Sequence, residues 1–60
     1  MNLIDAYVVK ILSEPKLLTE ISGYWVEVEY EDDGGTGFTN LYFETLDEAL
    51  NLKVGYEFLH

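Results

Sequence analysis

Sixty residues, 48% of them hydrophobic and 15% aromatic, set twelve acids against three lysines, for a formal charge of −9. There is no cysteine, so disulfides and thiolate metal sites are excluded, and the length allows a single domain over residues 1–60. The charge disfavours nucleic acid and anionic membranes as partners and favours a protein with a basic surface, while the apolar content excludes a disordered acidic tail.

A chain this short buries only about 60% of the surface its unfolded form exposes. With so much apolar material, some is expected at the surface, which points to a homodimer or a partner surface. The opening "MNLIDAYVVKILSEP" has no basic leader, is interrupted by Asp5 and Lys10, and offers no small-residue cleavage site. No run approaches the ~20 apolar residues of a membrane span, so the expectation is a cytoplasmic protein.

The first segment, residues 3–12, is rich in valine, isoleucine and leucine. Strict alternation puts Tyr7, Val9 and Ile11 on one side and Ala6, Val8, Lys10 and Leu12 on the other. Both sides are then largely apolar, as in a strand covered twice or curving between layers. Pro15 ends it and biases Glu14 towards extended backbone. Residues 15–23, "PKLLTEISG", hold too few turns for a stable helix. They read as a loop whose Leu17, Leu18 and Ile21 form a candidate dimer contact.

The clearest element is "YWVEVEYE". Tyr24, Val26, Val28 and Tyr30 alternate with Trp25, Glu27, Glu29 and Glu31, the pattern of an antiparallel strand with one buried and one acidic face. Asp32, Asp33, Gly34 and Gly35 follow as a hairpin turn, where Gly supplies positive φ angles. A turn on Asp33–Gly34 sets Val26 opposite Leu41 and Val28 opposite Thr39; one on Gly34–Gly35 sets Val26 opposite Phe43. Either register leaves Phe38 and Tyr42 on the outer face beside Trp25, whereas a one-residue slip would ruin the core.

"TLDEALNL" starts a short helix, with Thr45 and Glu48 at capping-box spacing and Leu46, Ala49 and Leu50 as its buried stripe. Gly55 reads as its stop, with Lys53 in the last turn. "YEFLH" closes the chain as a strand. The expected fold is α+β, a small antiparallel sheet with one short helix in the order β-β-β-α-β, a pattern that an SH3-like barrel also fits.

Chemistry finds little support. Glu29, Glu31 and Asp33 alternate before a glycine, but along a strand they spread at about 3.3 Å per residue and cannot wrap one ion. "GGTG" does not open a helix and no P-loop lysine follows it. His60 is the last residue, and Ser13 and Ser22 have no evident base. The expectation is therefore no enzyme, no metal and no cofactor. The acidic row Glu27, Glu29 and Glu31 has a spacing of about 6.6 Å, close to that of phosphates, so mimicry of nucleic acid is one alternative. Trp25, Phe38 and Tyr42, embedded in that charge, read as anchors for a protein partner.

The two ends, "MNLIDAYVVKILSEP" and "KVGYEFLH", together with "YWVEVEYEDDGG", look like small proteins encoded in phages and prophages of Gram-positive bacteria. The resemblance covers most of the chain, and its motifs are structural. Those motifs transfer no catalytic or binding residue, and the family implies no activity of its own. Small acidic phage proteins are, however, similar to inhibitors that bind and block host proteins, including proteins of anti-phage defence. The expectation is therefore an inhibitor that occludes a host protein, with the face read from the strand pattern, Trp25, Glu27, Glu29, Glu31, Phe38 and Tyr42, as the contact. The alternative is an assembly module of a phage with no host target.

Overall fold

The computed structural model describes residues 4–20 and 22–59. Ile21 and His60, both weighed above, therefore lie outside the described residues. Among the described residues, five strands form one antiparallel sheet: β1 (Asp5–Ile11), β2 (Lys16–Leu18), β3 (Gly23–Asp32), β4 (Gly35–Phe43) and β5 (Glu57–Leu59), with one short helix, α1 (Leu46–Leu50), between β4 and β5. No helix among the described residues is long and apolar enough to cross a membrane.

β3 organises the sheet. Its period-two alternation buries Val26 and Val28 and turns Trp25, Glu27, Glu29 and Glu31 to the opposite face. β4 pairs with one edge of β3 over its full length, in the Asp33–Gly34 register: Tyr24 opposite Phe43, Val26 opposite Leu41, Val28 opposite Thr39. The left-handed backbone of this hairpin falls on Gly35, at φ 131°, and on neither turn residue. Asp32 completes the turn, its Oδ1 accepting the Gly34 N–H at 2.8 Å.

The other edge of β3 carries β1 and β2 in succession. β1 covers the end from Val28 to Asp32, and β2 covers Gly23 to Trp25. This corrects the reading of residues 15–23 as a loop, and the order becomes β-β-β-β-α-β. The reason is backbone satisfaction: β1 leaves half of β3's edge unpaired, and the chain, continuing in the same direction, fills it. Where the main chain bows out between the two strands, the Leu12 N–H bonds the Glu27 carbonyl at 2.8 Å, and the Ser13 hydroxyl accepts the Glu27 N–H at 3.0 Å. Ser22 turns the chain into β3 in the left-handed region, at φ 50°.

A bulge explains why β1 looked apolar on both sides. Val8 faces Tyr30, but Lys10 faces Glu29, so two steps on β1 match one on β3. Val9 is the extra residue. Ala6 and Val8 point to the core before it, and Ile11, opposite Val28, points to the core side after it. The alternation that groups Tyr7 with Ile11 is broken at that residue.

The core is Val8, Val26 and Val28 under Ala49 and Leu52, flanked by Tyr24, Leu41, Phe43 and Phe58. Thr45 caps α1 as expected, accepting the Glu48 N–H at 3.2 Å. Glu48 reaches back to the Thr45 hydroxyl, which donates to its Oε1 at 3.1 Å. The expected stripe is corrected: only Ala49 of the helix is buried, and Leu46 and Leu50 are exposed. The helix ends at Leu50 with Asn51 as its C-cap, so it is too short to turn a wide stripe inward, and Leu52 reaches the core from beyond it. Gly55 is a docking turn at φ 96° and no helix stop. Its N–H bonds the Val8 carbonyl at 2.7 Å, the Val8 N–H bonds the Tyr56 carbonyl at 2.9 Å, and β5 is thereby laid along β1.

Candidate interaction face

The register of the sheet assembles one outer face from four strands. Trp25 lies between Lys16 of β2 and Tyr42 of β4. Glu29 lies between Lys10 and Phe38, and Glu31 between Tyr7 and Thr36, while Glu27 faces Asn40. All six residues expected at the contact, Trp25, Glu27, Glu29, Glu31, Phe38 and Tyr42, therefore share this face. Directly opposed side chains in such pairs sit about 4.5–5.5 Å apart at Cβ, close enough for the aromatics to touch the carboxylate stems.

Exposure divides the six. Phe38 and Tyr42 are 70% and 62% exposed, and Glu27 is exposed, whereas Trp25, Glu29 and Glu31 are half-buried. Trp25 is covered in part by its own chain: the Lys16 Nζ lies 5.0 Å from the centre of its ring. At an exposed site such a cation–π contact contributes about 0.5–1 kcal/mol. It holds the indole in place and leaves Phe38 and Tyr42 as the freely offered aromatics.

Three neighbours were not legible as members of the face: Tyr7, Lys10 and Lys16. Two of the three lysines thus stand in or beside the acidic row, and it is no uninterrupted file of negative charge. Tyr7 interacts with Glu31. Hydrogen bonding to that carboxylate, followed by desolvation and its negative charge, holds the phenol above the ordinary tyrosine pKa. The only advance signal was two lysines on segments flanking the acidic strand. Their alignment depends on the bulge at Val9 and the bow at Ser13.

Of the residues expected at a dimer contact, Leu17 is 60% exposed and opposes Tyr24 on the core side of the sheet edge, and Leu18 is half-buried and opposes Gly23. As neighbours on a strand they point to opposite faces. At one end of the sheet a shallow recess gathers Asp5, Glu31, Asp32, Asp33 and Glu57 around Tyr7. Among the described residues, no group of three or more His, Cys, Asp or Glu is placed to hold a metal ion.

No family model, curated protein or solved structure matches this chain.

Proposed function

We propose that this chain is a small acidic binding protein that acts by covering a protein surface and carries out no chemistry. The observation that carries this reading is the outer face itself, where Phe38 and Tyr42 stand largely exposed among Glu27, Glu29 and Glu31. Aromatic anchors supply most of the energy of a protein contact, and surrounding carboxylates select and steer a basic partner. The resemblance to phage-encoded proteins makes that partner a host protein in the host cytoplasm, with inhibition by occlusion as the outcome, and no cofactor enters the reading. For the fold, we propose an SH3-like curl of the sheet. The ring of Phe43, at the end of β4, meets that of Tyr56, just before β5, at 6.1 Å between centroids, which draws the two ends of the sheet together.

The test is affinity capture from host lysate with the wild-type chain and with Trp25→Ala/Tyr42→Ala, followed by mass spectrometry. A partner retained by the wild type and lost by a folded double variant supports the reading, and equal capture by both places the contact elsewhere. Salt separates the versions of the contact. Aromatic anchoring predicts a shallow dependence, and mimicry of nucleic acid predicts steep weakening with salt and competition by DNA.

A further inference from the structure

Among the described residues, β4 pairs with β3 alone, which leaves its second edge open, and that edge is built unlike any other in the sheet. Its nine residues, Gly35–Phe43, include no charged residue and no proline, in a chain of net charge −9, and its ladder with β3 runs without a register shift. Soluble proteins ordinarily blunt an edge with lysine, proline, a bulge or extreme shortness. The outer strands on the other side follow that rule: β5 and β2 have three residues each and carry Glu57 and Lys16.

The hydrogen-bonding sense of this edge follows from β3. Glu27 spends both its backbone groups on the β1–β2 side, its N–H on the Ser13 hydroxyl and its carbonyl on the Leu12 N–H. By alternation the odd residues of β3 face away from β4, and the even ones bond to it. Asn40 pairs with Glu27, Phe38 with Glu29, Tyr42 with Trp25 and Thr36 with Glu31. Thr36, Phe38, Asn40 and Tyr42 therefore direct their N–H and carbonyl groups outward.

We infer that this edge pairs with the same edge of a second copy, antiparallel, about a two-fold axis through Asn40. In that register Phe38 of each copy faces Tyr42 of the other, Asn40 faces Asn40, and the outward groups of these residues form about six backbone hydrogen bonds. The strand is complementary to itself: the register opposes aromatic to aromatic and nowhere sets like charges in direct opposition. The net charge does not prevent it. The carboxylates of β3 and its counterpart lie three strand spacings apart, about 14 Å, beyond the Debye length of about 8 Å at physiological ionic strength. The result is a closed dimer whose two outer faces are continuous. It needs no other protein, so it stands or falls separately from the host-partner reading.

Sedimentation of the purified chain across about 1 to 500 µM tests it, with Asn40→Lys and Asn40→Glu beside the wild type. Asn40 is exposed and faces Glu27, so lysine there gains a favourable neighbour within the monomer. The wild type is expected to reach the dimer mass. Each variant alone sets like charges at the axis and loses about a hundredfold in self-association, with its far-UV spectrum unchanged. An equimolar mixture of N40K and N40E is expected to recover the dimer through the Lys–Glu pair, which a mere folding defect would not allow. A wild type that stays monomeric at the highest concentration, a dimeric N40K, or a mixture that does not associate would each overturn the inference. Should N40K lose its far-UV spectrum, Tyr42→Lys removes the aromatic partner of Phe38 at both symmetric contacts, and self-association unchanged by it would overturn the register.

Discussion

The two faces of β3 and β4 make a quantitative contrast that Val28→Ala and Phe38→Ala can expose. Val28 is 0% exposed at the centre of the core, and Phe38 is 70% exposed on the outer face one rung away. Truncating valine to alanine removes the equivalent of two methylene groups, about 1.6 kcal/mol of transfer free energy. Imperfect closure of the cavity adds about 1 kcal/mol, so the expected loss is about 2–3 kcal/mol. A chain of this size has on the order of 3–9 kcal/mol in total, and V28A thus removes a large fraction of it. Phe38 hides about a third of its surface in the monomer, and F38A is expected to cost only about 0.5–1 kcal/mol.

Urea denaturation followed by circular dichroism reads both. With a slope near 1 kcal/mol/M, V28A lowers the midpoint by about 2 M or more and F38A by less than about 1 M. The titration is run dilute and then concentrated. If β4 edges pair, the F38A deficit grows with protein concentration, because the wild type gains stability by association and the variant gains less. Equal losses for the two substitutions at the dilute limit would refute the assignment of inner and outer faces.

Replacing Thr45 by alanine removes the cap of α1 and is expected to cost about 1 kcal/mol in the same denaturation assay. A Cβ at Gly37 would lie 2.7 Å from the Tyr30 hydroxyl, and the Tyr30 ring in turn meets Phe58 edge-on at 5.7 Å. Gly37→Ala therefore has to displace a packed ring, and about 1–3 kcal/mol should be lost, with a changed near-UV spectrum. Tyr7 should titrate above the ordinary tyrosine range in an absorbance titration, and Glu31→Gln should bring it down. Because the folded pKa is the raised one, this pair contributes stability that is fully present below the unfolded value of 10.0 and is lost as pH rises through the folded pKa. An unchanged titration in E31Q would show that the carboxylate is not the cause.

Much of the outer face is readable in the sequence. A run in which Trp25, Glu27, Glu29 and Glu31 alternate with Tyr24, Val26, Val28 and Tyr30 decides its own two faces, since a strand repeats every two residues. The turn at Asp33 and Gly34 then places Phe38 and Tyr42 on the acidic side in any register that keeps the core. Residues 16–18 were not readable as a strand, because nothing local in "KLL" asks for one. They are a strand because β1 stops short along β3 and the exposed backbone groups of β3 need partners.

The same division explains Trp25, Val9 and Leu50. Local alternation and turn chemistry, which depend on neighbours in sequence, determined the central hairpin, its buried valines and the helix cap at Thr45. Tertiary structure decided what depends on residues far apart. The bulge at Val9 brings Lys10 against Glu29, and the bow at Ser13 lets β2 carry Lys16 onto the face of Trp25. A five-residue helix turns only Ala49 into the core, and Leu50 stays exposed in spite of its apolar spacing. Periodicity specifies which way a side chain points within its own element. What that side chain meets is set by register between elements, and here a single extra residue in β1 was enough to change it.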